Sequence, residues 1–116
     1  MNYENMSDFE INKAVAVNLG FSVDDEQYES LCDRDERIVL CRDKFDSLLG
    51  LDYCNNPSDA WPVISANKIS IEYRDHKSLA PVAKRFGSNG HNIADKNPLR
   101  AAMIVFLMMN ENKNDN

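Results

Sequence analysis

Apolar residues recur along this chain at two periods, and each period predicts a different kind of element. Ile11, Ala14, Val15 and Leu19 fall at the spacing that places side chains on one face of a helix. Ahead of them, Ser7-Asp8-Phe9-Glu10 has the form of a capping box. In that motif the Ser7 hydroxyl accepts from the Glu10 amide and Glu10 reaches back to the Ser7 amide. Met6 and Ile11 stand where a hydrophobic staple would sit, and Asp8 and Glu10 suit the positive end of the helix dipole. Gly20-Phe21 supplies a Schellman stop. The pattern predicts a first helix over residues 8–19.

Further along, Tyr28 to Cys32 and Arg37 to Arg42 predict two strands of a hairpin turning at Asp33-Arg34-Asp35-Glu36. Phe45, Leu48 and Leu49 predict one helical turn stopped by Gly50. Asn56-Pro57 opens a second helix over 57–65, with Asp59 completing its cap and Pro62 shortening or kinking it. From Lys68 to Tyr73 the pattern alternates, with Ile69, Ile71 and Tyr73 on one side, and predicts a strand. Leu79, Val82, Ala83 and Phe86 return to helical spacing after Ser78, with Gly87 as a stop. Ser88 to Asn92 reads as a flexible turn.

Asn97-Pro98 repeats the start signal, and nine apolar residues follow without a break from Ala101 to Met109. Leu99, Ala102, Met103 and Phe106 lie on one face of that helix. Ala101, Ile104, Val105 and Met108 lie on the opposite one. A helix apolar all round must be covered all round. Either it is sandwiched inside the chain, between a sheet and the helix of residues 8–19, or its second face docks on another copy in a twofold homodimer. Residues 110–116 read as a polar, disordered tail beyond a single domain of residues 1–109. The expected fold class is α+β: a small antiparallel sheet of about three strands, with packed helices and a central C-terminal helix.

Composition narrows the function classes. A chain of 116 residues fits one domain. No apolar run approaches the ~20 residues that cross a bilayer, and the polar, acidic stretch from Met1 to Asp8 is unlike a secretory signal. These features predict a cytoplasmic protein without membrane contact. Cys32, Cys41 and Cys54 are spaced as neither a zinc knuckle nor a redox pair, and they read as buried thiols in a reducing compartment. The net charge of −6 is unevenly placed, at −9 over residues 1–64 and +3 over residues 65–116. An acidic chain is a poor nonspecific binder of duplexes, because such binding rests on cations that neutralise phosphates.

Candidate chemistry is sparse. There is no phosphate loop, nucleophile elbow or paired-cysteine motif. A Cys54–His91 pair is the cheapest catalytic device available, and a zinc site would need His76, His91 and cysteines at irregular spacing. No catalytic residue, cofactor or metal is therefore assigned. Arg100 is the one charge in an odd place, because it occupies a helical first turn where the dipole disfavours cations. It reads as an ion pair, with Asp59 at the other Asn-Pro helix start as one candidate, as a side chain reaching into water, or as a site for an anionic ligand. Trp61 beside Pro62 is either an exposed anchor for a partner or a cap on the core. Asp59, Trp61 and Arg100 form the candidate interaction site. Arg74, Lys77, Lys84, Arg85 and Lys96, with Tyr73 and Phe86 among them, form a candidate single-stranded nucleic-acid patch.

Three stretches carry a family resemblance: SDFEINK at 7–13, DYCNNPSDAWPVISANKISI at 52–71 and NPLRAAMIVFLMMNE at 97–111. In wording and order they resemble the NinX-like family of small tailed-phage and prophage proteins, over a little more than a third of the chain. The resemblance implies a phage or prophage origin and a cytoplasmic accessory role, and it brings no activity or catalytic residues with it. The combined expectation is a non-enzymatic accessory protein that acts by contact with a phage or host protein. The alternative is a nucleic-acid-associated factor using residues 74–100, and an uncharacterised enzyme comes third.

Overall fold

The computed structural model describes residues 2–23, 37–74, 79–85 and 90–114. Among them are three α-helices and two three-stranded antiparallel sheets, so the α+β class holds while the single expected sheet becomes two. After a 3-10 turn at Tyr3–Asn5 the order is α1 (Asp8–Asn18), β1 (Ser22–Val23), β2 (Val39–Arg42), β3 (Leu48–Leu51), α2 (Pro57–Ala66), β4 (Ser70–Glu72), β5 (Val82–Arg85), β6 (His91–Ala94) and α3 (Pro98–Asn114).

Local chemistry explains the helix ends. Ser7 Oγ accepts from the Glu10 amide at 3.1 Å, as the capping box requires. The return contact differs, because the hydroxyl donates to Glu10 Oε1 at 3.2 Å in place of Glu10 reaching the Ser7 amide. The Schellman stop forms as expected: the Phe21 amide donates to Ala16 O, the Gly20 amide donates to Val17 O, and Gly20 sits at φ +94°. The buried face of α1 is rotated from the apolar pattern. Leu19 is exposed, while Ile11, Asn12, Val15 and Ala16 are buried.

In the first sheet, β2 lies between β1 and β3, with Val23 opposite Cys41 and Cys41 opposite Leu49. The helical turn expected around Phe45 to Leu49 is instead a hairpin. Asp43 Oδ1 accepts from the amides of Phe45 and Ser47, both at 2.9 Å, and Asp46 adopts φ +65°. A carboxylate that captures amides two and four residues on offers the backbone a turn in place of a helix. The expected strand at 28–32, its turn and Cys32 lie outside the described residues.

The second sheet is a meander with β5 central. Within the helix expected after Ser78, Val82–Arg85 form β5, and of the turn expected at 88–92 His91 and Asn92 belong to β6, while residues 78 and 86–89 lie outside the described residues. Ile71, Ala83 and Ile93 stand opposite one another on one face, which packs into the core. Ladder pairing on both sides of β5 outweighs the helical spacing of its side chains.

Helix α3 is enclosed. It packs against α1, α2, β5 and β6, and every residue from Ala101 to Leu107 is buried. The sandwiched arrangement is the one adopted. The face offered for self-association is interior, because Ala101, Ile104 and Val105 are fully buried and Met108 packs partly into the same core. The helix continues through Asn114, into the segment read as a tail. Among the described residues no helix is long and apolar enough to cross a membrane.

Candidate partner-docking groove

The helix starts of α2 and α3 converge, each built from Asn-Pro. Asn56 accepts from the Ser58 amide at 2.9 Å, and Asn97 Oδ1 accepts from the amides of Leu99 and Arg100. The Nδ2 of Asn97 donates to Cys54 O at 2.6 Å and to Asn55 Oδ1 at 3.1 Å. Asn55 in turn donates to Asp8 and Asp52. Asn12, fully buried on α1, donates to Asp52 Oδ1 and Arg37 O while accepting from the Cys54 amide. Both N–H groups and the oxygen of its amide are engaged, as a buried side-chain amide requires.

Arg100 completes this network. Its Nη1 donates to Asp8 Oδ1 at 2.8 Å, its Nε lies 3.4 Å from Asp95 Oδ2, and its Nη2 reaches Met6 O at 2.6 Å and Tyr3 O and Glu4 O at 3.3 Å. Two carboxylates and three carbonyls surround a guanidinium whose side chain is 11% exposed. That set offsets the unfavourable dipole and leaves no place for an anionic ligand. The pairing with Asp59 does not occur. Asp59 Oδ2 accepts from the Asp52 amide at 3.0 Å, and this also replaces the cap expected of it. The apolar pattern leaves Asp8 and Asp95 unmarked as partners of Arg100, because only the fold brings them to it.

Cys54 is sealed within this network. Burial, followed by the Asp8 carboxylate, pushes its thiol up to about 12, so it stays protonated and non-nucleophilic near neutrality. His91 is not among the charged groups acting on it. Among the described residues no group of His, Cys, Asp and Glu could hold a metal, and His76 and Cys32 lie outside them.

Beside the network runs a groove of ≈ 540 Å³. Pro57, Trp61 and Ile64 of α2 form one wall, Ile71 of β4 and the following Tyr73 form another, and Pro98 and Leu99 of α3 close the end. Trp61 and Tyr73 are 63% and 69% exposed, so two large aromatic side chains stand open to solvent on the groove lining. Trp61 is therefore exposed and does not pack as a cap on the core.

Charge around the groove is sorted. Arg74, next to Tyr73, and Lys96, next to Asn97, are exposed and make no ion pair among the described residues. The carboxylates near them are engaged: Glu72 with Lys84 at 2.7 Å, and Asp95 with Arg100. The Lys84 hydrogen bond also holds the Glu72 carboxyl below its usual range. Of the candidate nucleic-acid residues, Lys84 is thus tied to a carboxylate, Arg85 is half-buried on β5, and Lys77 lies outside the described residues.

The family model described as Bacteriophage P22, NinX matches residues 2–110. No curated protein and no solved structure matches the chain.

Proposed function

The chain belongs to the NinX family of phage proteins, and on that premise we propose that it is an accessory protein that grips a segment of a partner protein in the Trp61–Tyr73 groove. The observation that carries this reading is the pair of exposed aromatics on the groove lining. Apolar rings of that size left open to water mark binding surfaces, and Trp and Tyr are enriched where binding energy concentrates. The occupant is an extended segment with an apolar or proline anchor beside an acidic residue. Apolar walls take the anchor, while Arg74 and Lys96 favour the carboxylate. The protein works by contact and without catalysis, in the cytoplasm of the bacterial host.

Selection from a random peptide library tests this directly. Enriched peptides carry Asp or Glu beside an aromatic residue or proline. A labelled peptide followed by anisotropy weakens at least tenfold on Trp61→Ala, and weakens again on Arg74→Glu with Lys96→Glu. Peptides without acidic bias, or binding indifferent to Trp61→Ala, would overturn it. Tighter binding of a single-stranded oligonucleotide, falling steeply with salt, would favour the nucleic-acid reading instead.

A further inference from the structure

Asp59, on another side of α2, faces a second cavity of ≈ 440 Å³, within the ~300–1,000 Å³ range of small-ligand pockets. Leu19, Phe21, Leu51, Pro62 and Val63 supply apolar walls. Tyr53 and Asp59 stand among them, with Ser58 and Asn67 also on the lining. Tyr53 is only 3% exposed, yet its hydroxyl makes no hydrogen bond among the described residues. Asp59 Oδ2 is taken by the Asp52 amide, while Oδ1 has no partner among the described residues, and no cation there pairs with this carboxylate.

We propose that this cavity binds a primary ammonium group carried on an apolar stem. The ammonium has three donors, and Asp59 Oδ1 and Tyr53 Oη are two acceptors waiting at an apolar wall. A neutral hydroxyl ligand would leave the carboxylate without a counter-charge, and a carboxylate ligand would be repelled by it. Burial raises the Tyr53 phenol above its ordinary range, and Cys41 and then Asp59 push it further in the same direction. The phenol is therefore neutral across the physiological range, with its oxygen lone pairs free to accept. Asp59 acts on it electrostatically, which places both groups in one field. The same chemistry comes from a free alkylamine or from a lysine side chain of another protein.

Titration of the whole protein with hexylamine, hexanol and hexanoate, read by amide chemical shifts, tests the site. Hexylamine gives saturable shifts at Leu51, Tyr53 and Val63, hexanol binds at least tenfold more weakly, and hexanoate does not bind. Asp59→Asn keeps an acceptor for the Asp52 amide but lowers hexylamine affinity at least tenfold, and Tyr53→Phe lowers it several-fold. Nα-acetyl-lysine amide, run alongside, separates the sources: binding equal to hexylamine indicates a lysine side chain, and much weaker binding indicates a free amine. Equal binding of hexylamine and hexanol to the wild-type protein, or no saturable shift with hexylamine, would overturn the proposal. The wild-type comparison stands even where a variant fails to fold.

Discussion

Arg100 illustrates what a single residue discloses and what it withholds. Its position in a helical first turn marks it as an oddly placed charge for which an ion pair is one of three readings, and that much is legible from the chain. Its actual partners, Asp8 and Asp95, come from the first helix and from the loop after β6, and no local spacing couples them to it. Truncating a buried, paired charge strands its partners, so Arg100→Ala should lower stability by about 3–5 kcal/mol in urea denaturation. Arg100→Lys should recover only part of that loss, because a point charge cannot reproduce the fork. Tyr3 gives a second prediction at this scale. Its hydroxyl donates to Glu111 Oε2 at 3.0 Å, and burial, with that contact, pushes its phenol up to about 12. A folded-state value above the unfolded one stabilises the protein below pH ~10, and that contribution is lost as pH rises through about 12. Urea stability measured across this window should fall less steeply in Tyr3→Phe than in the wild type. Cys54 titrates in the same sense in both proteins, so the difference between them isolates Tyr3.

At the level of elements, legibility follows the range of the interactions. Helices α1, α2 and α3 begin where Ser7, Asn56 and Asn97 predict, because a cap is made within a few residues. Strands β1, β3 and β6 are two to four residues long and exist through pairing with distant chain, which periodicity does not encode. Leu79 to Phe86 misleads for this reason: its spacing suits a helix, but β5 has ladder partners on both sides. The turn at Asp43 misleads differently, since a carboxylate captures the amides a helix would use. Helix α3 carries the main packing prediction. Phe106→Ala should destabilise by about 3–5 kcal/mol, through lost transfer free energy and the cavity left behind. Val105 is fully buried within its own chain, so Val105→Asp should abolish cooperative unfolding rather than yield a folded monomer from a dimer. A folded Val105→Asp protein in circular dichroism and urea titration would contradict the enclosed placement of α3.

Across the whole molecule, the three stretches that carry the family resemblance meet in one place. Residues 7–13 supply Asp8 and Asn12, residues 52–71 supply Asp52, Asn55 and Trp61, and residues 97–111 supply Asn97 and Arg100. They build a polar network that fixes two helix starts, and the apolar groove opens along those starts. A buried network with its partners in place defines one geometry, and a groove framed by it would enter the proposed binding already shaped. The chain as a whole carries −6, whereas the exposed charges next to the groove lining that make no ion pair among the described residues are Arg74 and Lys96, Glu72 being held by Lys84. The local sorting of ion pairs, rather than the net charge, is what the proposed partner would meet at the groove. The most direct test is quantitative capture from nuclease-treated cells carrying the phage, comparing wild type, Trp61→Ala, and Lys84→Glu with Arg85→Glu. A protein retained by the wild type and by the Lys84/Arg85 variant, lost with Trp61→Ala, and displaced by an acidic peptide selected on the groove is the predicted result. Retention unchanged by Trp61→Ala, or material recovered only when nuclease is omitted, would contradict it.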